Sequence, residues 1–431
     1  MREFLYITPY FPPQSQVGAL RPLKFVRHLP ALGWLPVVLA DLWPSDGMDR
    51  ALLPFVPPEV PVIHDYSHRA ASTLAALHGG ELARRRPGNT VARAQPLHER
   101  FLPKWLQEPE LLPLGEHSPD MPWAFRAARR LLKVHPRIEA IVVNADPFAA
   151  AVVGALLARQ TGLPLVQDFR DIWAPCKLRR PKRLPPQRWL EDRLERFSLD
   201  HAAHVVINTQ VSLDDYRAFY PQVDPQKFSL IRNFFDADLV DHGAHPGFDR
   251  FTLLHLGNFS RFRVADPLIR GLARALELGV RPDDVQLRST GPWGSAATAL
   301  AASLGVGSLC GLEAPVPYHE IGALCRAADL LVYIAEPGAD QRIASKFYDY
   351  LGVGRPVLAI SDNPESAAIL GGSGAGGQFA VADTDGLGHF IAAQVLAGRQ
   401  RTVPSRLAGL TAPEAAASLA AILDRVTESR R

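Results

Sequence analysis

Short apolar runs alternate along this chain with longer segments whose apolar positions recur at helical spacing. Phe4–Ile7 reads as a buried strand, Pro9–Gly18 as a long loop, Leu20–Leu32 as a helix and Leu35–Ala40 as a second strand, which is one βαβ unit. The alternation resumes with a strand at Ile138–Val143, a helix at Phe148–Thr161, a strand at Leu165–Phe169, a helix at Gln187–His201 and a strand at His204–Ile207. Near-continuous apolar strands joined by helices predict a parallel sheet covered on both faces.

After Phe228–Ile231 the periodicity stops, and Asn233–Phe248, rich in Asp, His and Gly, reads as a linker between domains. A second series then begins, with strands at Thr252–Leu256, Val285–Ser289, Leu330–Ile334 and Val357–Ile360. Its helices are Pro267–Leu278, Ser295–Leu304, Tyr318–Ala328, Lys346–Val353, Gly386–Leu396 and Ala412–Thr427. The expectation is α/β: two doubly wound Rossmann-like domains, over 1–235 and 236–410, with a last helical segment over 411–431. Within the first domain, 68–122 interrupts the pattern with Arg84-Arg85-Arg86, many prolines and the aromatics Phe101 and Trp105. It reads either as a solvated insertion or as a basic surface that meets an anionic membrane or a lipid-linked molecule.

A length of 431 residues fits two cores rather than one. Charge removes some function classes, since a net +3 gives no whole-molecule argument for nucleic acid binding. Cys176, Cys310 and Cys325 are too widely spaced for a structural zinc site or a disulfide framework. No signal peptide is visible, and the longest apolar stretch, Phe148–Ala158, is too short to span a bilayer and reads as a buried helix. A cytoplasmic protein is expected. There is no G-x-S-x-G elbow, the pair His64 and His68 lacks the glutamate of H-E-x-x-H, and no G-x-G-x-x-G accompanies the loop after the first strand, which argues against hydrolase-triad, zincin and nicotinamide chemistry.

Candidate chemistry gathers where strands end. The run Ser345-Lys346-Phe347-Tyr348-Asp349-Tyr350-Leu351-Gly352-Val353-Gly354-Arg355-Pro356 is a short helix closed by Gly and Pro before an apolar strand. Ser345 is the expected N-cap, and the unpaired N–H groups of that helix start, with Lys346 beside them, would favour a phosphate. Lys346 and Asp349 share one helical face. In Pro9-Tyr10-Phe11-Pro12-Pro13 to Gly18 the glycine would allow backbone to approach a ligand, with Arg21 in the next helical turn. A structural turn is the alternative. Asp168-Phe169-Arg170-Asp171-Ile172-Trp173 lies at a strand end, either as a structural Asp–Arg pair or as a site. Asp146, in Asn144-Ala145-Asp146-Pro147, could cap the following helix or contact a substrate. The segment His255-Leu256-Gly257-Asn258-Phe259-Ser260-Arg261-Phe262-Arg263 follows the first strand of the second domain and is a cationic loop, solvated or phosphate-binding.

These segments resemble the family 4 glycosyltransferases. The helix at 345–356 is similar to the donor-sugar signature K-x-x-E-Y-L-x-x-G-x-P, with Asp349 in place of the Glu and Gln341 in place of a second Glu that precedes it. Gly18 ends a loop like the family's P-x-x-x-x-G, and residues 168–173 read as its D-F-R-D-x-W. Asn258 stands for the Arg of a G-R pair, Arg261 or Arg263 for the Lys that follows it, and Asn233-Phe234 for an I-P-N-G hinge.

The resemblance implies a GT-B fold, its two domains facing across a cleft, with the last helix crossing back onto the first. It implies a retaining, metal-independent transfer from a nucleotide-diphosphate sugar to a hydroxyl acceptor, with no cofactor, in polysaccharide or glycolipid assembly at the inner face of a membrane. Arg263 and Lys346 would stabilise the departing diphosphate, and Arg170 would contact donor phosphate or sugar. Asp168 or Asp171 would position the acceptor hydroxyl, helped by Asp146 and Arg21. Gly18, Gly257, Asn258 and Arg261 would line the donor, Asp349 would bind ribose hydroxyls and Gln341 the sugar. The rival is a non-catalytic sugar-nucleotide-binding or scaffolding protein, because Gln341 lacks the carboxylate. A sugar-nucleotide epimerase or a phosphorylase of the same fold is a third reading.

Overall fold

The computed structural model describes residues 1–42, 48–67, 114, 118–259, 264–399 and 407–429. The chain forms two compact units, Met1–Arg232 together with Ala412–Arg431, and Asn233–Thr411. Each is built on an all-parallel sheet.

In the first unit the strands are β1 (Arg2–Ile7), β2 (Trp34–Ala40), β3 (Val62–His64), β4 (Ile138–Asn144), β5 (Leu165–Phe169), β6 (His204–Ile207) and β7 (Phe228–Leu230). Their order, β3-β2-β1-β4-β5-β6-β7, reverses direction between β1 and β4. That switch point is where ligands of doubly wound sheets bind, outside the carboxyl ends of the strands. The helices are α1 (Leu20–His28), α2 (Met121–Val134), α3 (Phe148–Thr161), α4 (Pro185–His201) and α5 (Gln210–Phe219). As expected of the long apolar run, α3 is buried along nearly its whole length. The helix anticipated to reach Leu32 stops at His28, and Pro30–Leu32 continues as a 3-10 turn. Pro30 has no N–H to give the α-helical ladder.

The second unit carries β8 (Phe251–His255), β9 (Val285–Ser289), β10 (Cys310–Leu312), β11 (Leu330–Ile334), β12 (Val357–Ile360) and β13 (Gly376–Phe379) in the order β10-β9-β8-β11-β12-β13. Its switch point lies between β8 and β11. Its helices are α6 (Ala237–Val240), α7 (Asp266–Glu277), α8 (Ser295–Ser303), α9 (Ile321–Ala327), α10 (Ser345–Val353), α11 (Pro364–Ser373) and α12 (Thr384–Ala397). The stretch read as an irregular linker therefore contains a turn of helix, α6, whose Leu239 and Val240 are buried.

The last helix, α13 (Ala412–Glu428), belongs to the first unit. Asp424 accepts from Arg2 at 2.7 Å and from the Trp34 indole at 3.2 Å, joining the end of the chain to β1 and β2. Most of the 68–122 insertion, including Arg84–Arg86, Phe101 and Trp105, lies outside the described residues. Among the described residues no helix is long and apolar enough to cross a membrane. Cys176, Cys310 and Cys325 form no disulfide.

Candidate functional site

In the second unit the loops after β8 and β11 bring the phosphate-binding candidates together. Lys346, in the first turn of α10, donates from Nζ to the carbonyl of Leu256 at 2.7 Å. One turn on, the Tyr350 hydroxyl accepts the Leu256 N–H at 2.9 Å. α10 thus grips the start of the Gly257 loop by both polar groups of one residue. Gly257 itself has φ +102°, a left-handed conformation that only glycine takes without strain, and its N–H donates to Thr290 Oγ1 at 2.8 Å. A Cβ on Gly291 would meet Asn258 Oδ1 at 2.2 Å and the Gly257 carbonyl at 2.7 Å. Gly291 is what lets the two loops lie against each other.

The N-terminus of α10 differs in one respect from expectation. Ser345 is its first residue, and the capping position falls on Ala344, which has no side chain to accept an N–H. The orphan N–H groups of this end are therefore not occupied by a capping side chain. Asn233 acts one step earlier, donating from Nδ2 to the Ile343 carbonyl at 3.2 Å, and so ties the start of the second unit to the segment that leads into α10.

Asp349 is 2% exposed and accepts the Tyr318 hydroxyl on both carboxylate oxygens, each at 3.1 Å. Burial, and then the Asp349 charge, hold the Tyr318 phenol far above its ordinary pKa, so it is a fixed donor. Gln341 is also buried, at 4% exposure. Asn258 is exposed, and Arg261 and Arg263 lie outside the described residues. Tyr318, Tyr350 and Gly291 were not singled out from the sequence as site residues. The signal for Tyr350 was its place four residues after Lys346, on the same helical face.

In the first unit, three motifs that sequence reading kept separate converge at the ends of β1, β4 and β5. Arg170 pairs with Asp146, from the loop after β4, and lies 3.7 Å from Asp171. Gly18 sits under this guanidinium: a Cβ there would be 2.7 Å from Arg170 Nη1 and 2.6 Å from the Tyr10 ring. Asp146 does not cap α3. Pro147 occupies the capping position, and the Asp146 carboxylate faces Arg170 instead.

Asp168 points elsewhere. Its carboxylate and the Arg21 guanidinium make a two-pronged buried pair, with both N–O distances 2.8 Å. Arg21 also donates to the carbonyls of Ile231 at 2.9 Å and Arg232 at 2.8 Å. Its donors are thus committed to the protein, and the Asp–Arg structural pair anticipated within residues 168–171 is instead Asp168 with Arg21. The residues left facing one another at this strand end are Asp146, Arg170 and Asp171, each only partly buried. No cluster suited to a metal ion occurs among the described residues.

Residues 21–233 match a family model described as a glycosyl transferase 4-like domain. Over that span the chain is a glycosyl transferase 4-like domain, which supports a family 4 glycosyltransferase. A D-inositol 3-phosphate glycosyltransferase of Catenulispora acidiphila is 28% identical over 250 residues, covering 54% of this chain and 58% of that relative. The match spans little more than half of either protein. Sucrose-phosphate synthase from Thermosynechococcus elongatus has the same fold, with a TM-score of 0.58 and 13% identity over 100% of this chain and 97% of that one. So does a TarM variant from S. aureus, solved in complex with fondaparinux, alpha-GlcNAc-glycerol and UDP, with a TM-score of 0.57 and 9% identity over 100% and 98% of the two chains. This is the GT-B type of two-unit α/β architecture.

Proposed function

We propose that this protein transfers a sugar from a nucleotide-diphosphate sugar to a hydroxyl acceptor, with the donor held by the second unit and the acceptor by the first. The observation that carries the reading is the Lys346 ammonium seated at the mouth of the Gly257 loop, 2.7 Å from the Leu256 carbonyl, at a helix start whose N–H groups have no side-chain cap. A diphosphate placed there meets a cation and oriented N–H dipoles together, the arrangement that stabilises a departing anion. Arg263 would add a second cation. In this reading these groups replace a divalent metal.

Asp349, held by Tyr318, would accept ribose hydroxyls, and Gln341 would contact the transferred sugar. In the first unit Asp171 and Asp146 would orient the acceptor hydroxyl, and Arg170 would balance their charge and meet the donor phosphate. Asp168 and Arg21 would act from beneath by fixing that strand end. The transfer retains configuration: the acceptor oxygen bonds to the anomeric carbon on the face from which the diphosphate leaves, the anomeric C–O bond breaks, and the leaving phosphate oxygen takes the hydroxyl proton. No protein nucleophile is needed. The bound UDP of TarM and the name of the Catenulispora relative support a nucleotide donor and a hydroxyl-rich acceptor.

Assembly of a polysaccharide or glycolipid at a membrane's inner face is part of this proposal. It is favoured by the outer face of α2, where Trp123, Arg126, Arg129, Arg130 and Lys133 line a pocket of about 370 Å³. Asp65 engages Arg130 and the Trp123 indole, leaving a net basic, aromatic-flanked surface suited to anionic headgroups. Failure to sediment with anionic vesicles at low salt would remove this part alone.

The enzyme reading is tested by incubating the protein with UDP-, GDP-, ADP- and dTDP-sugars and following binding and slow hydrolysis, with Lys346→Ala as control. Hydrolysis of one donor, lost in the variant, is expected. Binding without turnover in the presence of acceptor extracts would favour a sugar-nucleotide-binding protein, and absence of binding would overturn the donor site.

A further inference from the structure

The segment that carries Arg170 and Asp171 is held along its backbone by four side chains of the first unit. Asn208 donates to the Arg170 carbonyl and Arg179 to the Ile172 carbonyl. The next two groups lead inward to one carboxylate. Trp173 N–H donates to the Tyr216 hydroxyl at 3.1 Å, and that hydroxyl donates to Glu195 at 2.6 Å. Ala174 N–H donates directly to Glu195 at 3.0 Å, and Tyr220 gives the same carboxylate a third hydrogen bond at 2.7 Å. Glu195, on α4, is 0% exposed. The Trp173 ring is stacked flat on Phe148 of α3, centroids 4.9 Å apart and planes 1° from parallel.

Three donors converge on two oxygens. An ionised carboxylate accepts all three, whereas a protonated one carries its own O–H and must turn one donor away. The full set of bonds that fixes Trp173 and Ala174 thus needs a charge that burial opposes.

We propose that Glu195 is a positioning residue for the candidate active site: its carboxylate, through Ala174 directly and Trp173 by way of Tyr216, sets the Arg170–Asp171 segment. The inference rests on the transferase reading for its functional consequence and on the hydrogen-bond geometry for its structural one. The groups facing Glu195 are Tyr216 of α5 and Tyr220 just past its end, the Ala174 N–H, and Glu191 on its own helix, itself paired with Arg183 at 3.1 Å. Burial pushes the Glu195 carboxyl up to about 7, with the two phenols and the amide pulling the other way. The segment is accordingly better fixed above neutrality than below it.

The test pairs Glu195→Gln with Tyr220→Phe. Hydrogen–deuterium exchange of a peptide covering 170–176, corrected for intrinsic rate, should show wild-type protection rising between pH 6 and 8. Glu195→Gln should be less protected and insensitive to pH, with other peptides unchanged. Tyr220→Phe, which keeps both backbone bonds, should fall between them and serves if the glutamine variant does not fold. On the donor identified above, kcat should fall on the order of 10- to 100-fold in Glu195→Gln with KM nearly unmoved. The inflection near pH 7 should vanish. Wild-type exchange and an unchanged pH profile would overturn the role. If wild type turns over no donor, the transferase reading fails, while the exchange result still decides what Glu195 holds.

Discussion

Lys346 and Tyr350, one turn apart on α10, hold the C=O and the N–H of the same residue, Leu256, at 2.7 Å and 2.9 Å. The two bonds differ in what they offer a ligand: the ammonium carries a positive charge, whereas the phenol is neutral and fully buried. Replacing Lys346 by Ala should abolish donor hydrolysis and weaken nucleotide-diphosphate binding. Tyr350→Phe should cost about 1–2 kcal/mol of stability, since it strands a partly buried N–H, while leaving binding within a few-fold. Calorimetric titration with UDP and GDP, beside urea unfolding, separates the two effects.

Gly18→Ala puts a methyl group 2.7 Å from Arg170 Nη1 and 2.6 Å from the Tyr10 ring. Arg170 must then swing or the loop must lift, so the acceptor side is disturbed without touching the second unit. Turnover should drop at least tenfold, by analogy with small misplacements of reacting groups, with nucleotide binding preserved. Equal loss of binding and turnover would show that the loop is a fold element rather than part of the site.

Arg21→Met leaves Asp168, 1% exposed, buried without its guanidinium, and releases the Ile231 and Arg232 carbonyls. Breaking a buried ion pair from one side costs about 3–5 kcal/mol. Arg21→Lys should recover little of this, because an ammonium cannot present the two-pronged fork. The urea midpoint of each variant measures it.

The pH dependence of stability has two opposed contributions. Burial lowers His204 to about 4, so the folded state disfavours its charged form; that stability is present above the unfolded value near 6.5 and is lost as pH falls towards 4. Glu195 runs the other way. Its folded value near 7 lies above the ordinary 4.5, so its contribution is fully present below pH 4.5 and is lost as pH rises to about 7. Glu195→Gln should therefore steepen the net rise in stability between pH 4.5 and 6.5, and His204→Gln should flatten or invert it. Unfolding midpoints at pH 5 and pH 8 give the sign.

Much of the fold was legible because buried parallel strands are continuous apolar runs. Phe4–Ile7, Leu330–Ile334 and Val357–Ile360 needed no help from context. The strands missed were short edge pieces, Val62–His64, Cys310–Leu312 and Gly376–Phe379, in which pairing with a neighbour supplies what composition does not. Helix α11 hid in Pro364–Ser373, where apolar, small and polar residues follow no single face. For the site, sequence showed which strand ends matter but not who pairs with whom. Asp168, Arg170 and Asp171 are adjacent in the chain, yet the first faces Arg21 and the second faces Asp146. Asp168 lies within β5, whereas Arg170 and Asp171 lie past its last residue, where strand register no longer fixes side-chain direction and only the packed partners decide the pairing. Glu195 gave no signal at all, since a lone glutamate in an amphipathic helix reads as solvated until two tyrosines and an amide are found on it.

The first unit is made from two stretches on either side of the second, with α13 bonded to Arg2 and Trp34 through Asp424. During synthesis β1 and β2 leave the ribosome early, while the helix that covers them follows only after the entire second unit. Until then the growing protein carries one finished body and one with an open flank, so chaperone demand should fall on the half that was made first.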